Sequence, residues 1–187
     1  MSARCDHAPA LRAKLRAATQ DHHQSLDTAL GRLDLAERED YVRFLTVQAR
    51  ARAGVETWLA RYCPPEWMPP SQAAALERDI SDLGHAPLRT TPAFAHGDEG
   101  PVAWLGAAWV LAGSSLGNRM MERDLSARAP SGWPMAFLRD SAMPAYFKAL
   151  RPLLEAIDVN PGAERTATAV FDHFMAEARQ QLDKVAA

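Results

Sequence analysis

Cysteine is scarce in this chain. Cys5 and Cys63 are the only two among 187 residues, and nothing in them suggests a disulfide framework. Long apolar runs are missing as well. The most apolar stretch, Val102 to Gly117, is broken by Gly106, Gly113, Ser114 and Ser115 and runs into Arg119, so it is too short and too interrupted to span a bilayer. The opening residues, Met1-Ser2-Ala3-Arg4-Cys5-Asp6-His7, lack the apolar core of a signal peptide, and a cytoplasmic location is expected on that ground. Neither sign of charge is in excess: the formal net charge is -2, which points away from nucleic acid and from membrane surfaces as partners. Residues branched at Cβ are sparse and no segment alternates convincingly, so a sheet is not expected. There is no Glu-x-x-His, which argues against a carboxylate di-iron bundle, and neither a Gly-rich phosphate loop nor zinc spacing occurs.

What is present is helical periodicity. Apolar residues make up 48% and charged residues 24%, enough for one cored domain over 1–187, with 1–8 expected as a flexible N-terminal segment. A first helix is expected from Pro9 to Leu33, with Leu11, Leu15, Ala18, Leu26, Ala29 and Leu33 on one stripe. A second runs from Glu37 to Arg61 and carries Tyr41, Phe44, Leu45, Val55 and Leu59. Pro64-Pro65 and Pro69-Pro70 break it. Ser71 can cap a third, Gln72 to Leu83, which Gly84 ends. Residues 85–100 read as a loop, and a single long helix is expected from Val102 to Ala127. A further helix holds Tyr146, Phe147, Leu150, Leu153 and Leu154. Asn160-Pro161 with Glu164 marks the start of the last, which carries Val170, Phe171, Phe174 and Leu182. Six or seven helices in one all-α, single-domain bundle is the expected architecture.

Two features carry chemistry. The first is the pair His22-His23. On a wheel at about 100° per residue, His22 falls at the centre of the leucine stripe and His23 at its edge, beside Thr19 and Leu30. Asp27, one turn after His23, can accept a bond from one ring nitrogen, fix the tautomer and leave the other nitrogen for a metal. The alternative is two half-buried histidines satisfied by neighbours. The second feature is the glycine stripe of Gly106, Gly113 and Gly117, extended by Met120 and Met121. Each glycine inside a helix costs about 1 kcal/mol against alanine, so something should approach that bare backbone closely. A packed helix and a flat ligand both fit. Arg12, Lys14 and Arg16 before the histidines, and Lys148 and Arg151, can meet anionic groups or be simply solvated.

Together these motifs resemble the haem oxygenase family. Leu15-Arg16-Ala17-Ala18-Thr19-Gln20-Asp21-His22-His23-Gln24-Ser25-Leu26-Asp27 looks like the family's first helix, in which the proximal histidine follows a threonine by four residues. That rule selects His23 and leaves His22 where the family usually carries a small or apolar residue. Asp27 matches the acidic partner of the proximal ring. Gly113-Ser114-Ser115-Leu116-Gly117-Asn118 looks like the glycine-rich distal helix. Phe147-Lys148-Ala149-Leu150 is similar to the segment whose lysine faces a propionate, and Phe171 to a pocket phenylalanine. The sequence departs from the family pattern at Ser114, where many members carry an aspartate, at Asn118, where a second small residue is common, and at Gln20, where a lysine can meet a propionate.

The resemblance implies haem as both cofactor and substrate, dioxygen as co-substrate, and biliverdin, carbon monoxide and ferrous iron as products. It implies His23 as the iron ligand, with Arg16, Thr19, Asp27, Lys148, Arg151 and Phe171 around the haem, and Gly113, Ser114, Gly117 and Asn118 on the oxygen side. Electrons would come from an external reductase or ferredoxin, and a bilin-accepting photoreceptor is a conceivable partner. Two other readings stay open at the level of sequence. One is a haem carrier or sensor that does not degrade its ligand, motivated by Ser114 and Asn118. The other is a helical interaction module whose glycine stripe packs a partner helix.

Overall fold

The computed structural model describes residues 10–88 and 90–183. Cys5, His7, the expected flexible segment 1–8 and the expected helix start at Pro9 lie outside them. Seven α-helices and no strand occur among the described residues. They are α1 (Leu11–Leu30), α2 (Arg38–Tyr62), α3 (Ala73–Asp82), α4 (Trp104–Ser114), α5 (Asn118–Arg128), α6 (Ala142–Ala156) and α7 (Pro161–Asp183).

Local chemistry sets most of their ends. Glu39 and Asp40 in the first turn of α2 and Arg61 in its last complement the helix dipole, and the chain leaves the helix just before Pro64. At the end of α3, Gly84 adopts a positive φ of 80°. Its N–H donates to Ser81 O and that of His85 to Ile80 O, the paired bonds of a Schellman cap. The N-cap of this helix is Gln72 rather than Ser71, which stands one residue before it and accepts the Ala73 N–H on Oγ at 3.3 Å. Asn160 Oδ1 accepts the Ala163 N–H at 2.9 Å and starts α7 as the sequence leads one to expect.

The expected single helix from Val102 to Ala127 is two helices. Residues 101–103 form a turn, and the helix breaks again at 115–117. The cause lies in Ser114 and Ser115. Their hydroxyls donate back to Leu111 O at 2.8 Å and Ala112 O at 2.6 Å. The main chain tightens alongside: Ser115, Leu116 and Asn118 N–H groups bond to carbonyls three residues back. Serine back-bonding between two glycines of low helix propensity gives a kink rather than a continued helix.

Helix α7 is the centre of the bundle. It packs along α1, α4 and α2, whereas α1 and α4 make no extensive contact with each other. The main core gathers Leu11, Leu15, Val55, Leu59, Leu105, Leu111, Leu150, Val170 and Phe174. A second cluster joins the first half of α2 and α3 to the segment before α6, through Tyr41, Leu45, Leu76, Ile80 and Phe137. Asp79 fixes that segment by accepting the N–H groups of Ala136 and Phe137, both at 2.8 Å. Tyr41 does the same by donating to Pro134 O at 3.0 Å. The loop expected at 85–100 is present and pinned: Phe94 is buried, Trp58 Nε1 donates to His96 O at 2.9 Å, and Arg50 Nη1 donates to Thr90 O at 2.9 Å.

Candidate functional site

The two histidines part company in the structure, as the wheel leads one to expect. The His22 ring is half-buried, its nearest charge Asp172 Oδ1 at 3.6 Å. Its Nδ1 is buried without a hydrogen-bond partner among the described residues. The His23 side chain is 58% exposed, and its Nδ1 lies 2.9 Å from Asp27 Oδ2, one turn along α1. With the proton on Nδ1, the carboxylate holds the ring and leaves the Nε2 lone pair as a ligand for a metal. Phe171 of α7, itself buried, meets the imidazole edge-on with ring centroids 5.8 Å apart. Thr19 is buried and its hydroxyl donates to Leu15 O at 2.7 Å, so that group is spent inside α1.

The glycine stripe divides into two parts. A Cβ on Gly106 would run into the Ala163 carbonyl of α7. This glycine serves the close crossing of α4 and α7, so of the two alternatives the stripe leaves open, the packed helix holds at Gly106. At Gly113 an added Cβ meets nothing within 4 Å, and at Gly117 only Met121 Cε and Ser114 O, both at 3.9 Å. Beside this bare backbone, Leu116 and Met120 are the large apolar side chains left exposed among the described residues, Met120 by 76%. The kink thus presents open main chain and unpaired apolar surface together. Two clefts, of about 390 and 620 Å³, lie between α2 and the 91–96 loop and between α1 and α7, and neither is lined by His23, Gly113 or Gly117.

Gly113-Ser114-Ser115-Leu116-Gly117 also spells Gly-x-Ser-x-Gly. A nucleophile elbow needs a strand before it. Here a helix precedes, and the central Ser115 is buried with its hydroxyl given to Ala112 O at 2.6 Å.

The polar residues of the distal motif are already engaged. Ser114 Oγ–H donates to Leu111 O. Asn118, buried, donates from Nδ2 to Phe137 O at 3.4 Å and so ties α5 to the segment before α6. Ser114 Oγ in turn accepts from Arg52 Nη2 at 2.6 Å. Sequence reasoning passed over Arg52. Its signal is position: Tyr41, Leu45, Gln48, Arg52, Val55 and Leu59 follow helical spacing on the buried face of α2, and the charge sits inside that stripe.

The basic candidates collect along the seam of α1 and α6. Leu11 N–H bonds to Ile157 O at 3.0 Å, and Arg12 pairs with Glu155 at 3.3 Å. One turn on from Arg12 is Arg16; one and two turns back from Glu155 are Arg151 and Lys148. Arg151 shares Glu155 at 3.5 Å. Arg16 and Lys148 are exposed, and neither has an ion-pair partner among the described residues.

No protein-family model matches the chain, and no curated protein matches it. Among solved structures it is similar to the haem oxygenase of Neisseria meningitidis, determined with NO and CO bound. The two share 19% identity over 93% of this chain and 92% of that one, with a TM-score of 0.69. The chain therefore has the haem oxygenase fold.

Proposed function

We propose that this protein is a haem oxygenase. It takes haem between α1 and the α4–α5 kink and opens the ring with dioxygen and electrons from an external donor, giving biliverdin, carbon monoxide and ferrous iron. The observation that carries the reading is His23 on this fold: an exposed imidazole with Nδ1 held by Asp27 and its other nitrogen unspent. The residues present fit the group. A neutral imidazole suits iron, and Gly113 supplies a face that a Cβ would otherwise occupy.

Haem, when bound, supplies the redox chemistry; the protein supplies the ligand, the orientation and the exclusion of bulk water. His23 is the iron ligand, and Asp27 fixes its tautomer and raises its basicity. Gly113 and Gly117 let a flat ring approach the backbone, and burial of Leu116 and Met120 beneath it contributes apolar free energy. Arg16, Lys148 and Arg151 would pair with propionates and set the rotation of the ring in its plane. No helix among the described residues is long and apolar enough to cross a membrane.

A second reading, a haem carrier that leaves its ligand intact, draws on one observation: the donors of Ser114 and Asn118 are turned to Leu111 O and Phe137 O. Purified protein mixed with haem and ascorbate in air separates the two. Rising absorbance in the red from biliverdin is the expected result. A Soret band that persists through reductant and oxygen favours the carrier.

A further inference from the structure

Arg52 is the only lysine or arginine classed as buried among the described residues, 2% exposed. Every part of its fork but one is engaged. Nε donates to Gln48 Oε1 at 3.3 Å, Nη2 donates to Ser114 Oγ at 2.6 Å, and the guanidinium carbon stands 5.4 Å from the centre of the Phe137 ring. Nη1 is buried with no partner among the described residues. One turn along α2, Glu56 accepts Ser71 Oγ–H on Oε2 at 2.7 Å and has Oε1 buried and unpartnered. The charges of Glu56 and Asp140 both act on the guanidinium. Burial pushes its pKa down to about 10, which leaves it protonated at neutral pH. A free donor and a free acceptor one helical turn apart, both atoms buried although Glu56 as a whole is only partly so, is a setting for an ordered water. The cluster ends on Ser114, in the kink with the open glycines.

We propose that Arg52 is a positioning residue for the oxygen side of the site: it holds Ser114 with one nitrogen, holds a water shared with Glu56 Oε1 with the other, and by its charge favours anions bound beside the kink. This rests on the haem reading above. It also explains how a site whose motif donors face inward can still order hydrogen bonds, because the donor comes from α2.

The test uses ferric haem complexes of the unaltered protein, Arg52→Met and Arg52→Lys, with sodium fluoride as the probe. A Soret titration first gives each haem affinity. Arg52→Met is expected to take haem as the parent does and to lose at least about tenfold in fluoride affinity, the scale of a charge-assisted hydrogen bond. Arg52→Lys is expected to recover part of that loss. An Arg52 that only braces the fold would lower thermal stability and leave fluoride binding within about twofold of the parent, and that outcome overturns the proposal. A crystal structure of the unaltered chain is the second measurement and stands whether or not the variants fold. It is expected to show a water within about 3.2 Å of both Arg52 Nη1 and Glu56 Oε1, and a dry cluster overturns the proposal. A parent that takes up no haem sinks the function reading instead, while the crystal of the haem-free chain still decides the water.

Discussion

His22 and His23 are neighbours in the chain with opposite surroundings, and the difference is one helical step of about 100°. His22 faces α7 and is half-buried, with a buried, unpartnered nitrogen. His23 stands clear, braced by Asp27 at 2.9 Å. Asp27→Asn is therefore expected to lower haem affinity by about 10–100-fold, the usual cost of losing a carboxylate behind a metal-bound imidazole. Soret titration measures it, and unchanged affinity would show that the carboxylate has no part in ligation. The pair was legible in the sequence because four-residue spacing on a helix is a fixed geometry. Arg52 was not, because an arginine on an amphipathic helix ordinarily lies at its solvent face. Its place within the apolar stripe of α2 was the one signal, and the packing of Phe137 and Ser114 encloses it.

Among the helices, Gly106 and Gly113 share one motif and answer to different forces. Alanine at Gly106 would press its Cβ onto the Ala163 carbonyl, which belongs to backbone and cannot swing aside. Gly106→Ala is expected to destabilise the fold by about 1–3 kcal/mol, as overpacking does. Gly113→Ala adds its Cβ to open space and is expected to stabilise the haem-free fold by up to about 1 kcal/mol, the helix preference for alanine. Urea denaturation of the two variants reads both, and equal effects would contradict the division. The sequence could show the stripe but not its division, since helical spacing says nothing of which neighbour sits opposite. Nor did it show the kink: the apolar pattern runs on through 115–117, while the break comes from hydroxyls folding back on their own helix. The loop at 85–100 was visible from its prolines and glycines. Its anchors were not, and they add a pH dependence. The His173 ring of α7 packs on Phe94 of the loop with centroids 5.4 Å apart, His96 Nε2 lies 3.0 Å from Thr166 Oγ1, and burial holds the pKa of both histidines below the ordinary value of 6.5. The unfolded chain then binds protons first as pH falls, so stability is full above pH 6.5 and declines below it toward the lowered pKa values of the folded state. Proteolysis of the 85–100 loop is expected to quicken between pH 6.5 and 5 relative to a His173→Phe variant. Parallel behaviour of the two chains would remove the half-buried His173 as a cause.

At the scale of the molecule, α7 lies against both α1 and α4 while those two stay apart. On the haem reading proposed above, a histidine on one and open backbone at the end of the other would serve a single flat ligand, with the basic α1–α6 seam at its edge. All-α architecture followed from periodicity, since the apolar stripes recur at helical spacing along the chain. The face assigned to the ligand in that proposal is the one left uncovered: an exposed Met120, an open Gly113 and an imidazole with a spare nitrogen. The measurement that bears most directly on this account is a haem titration followed at the Soret band for the unaltered chain, His22→Ala and His23→Ala side by side. The account predicts saturation at one haem per chain for the first two and loss of the shifted band, restored by added imidazole, for the third. A His23→Ala chain that binds haem as the parent does, or a parent that shows no shift at all, would contradict it.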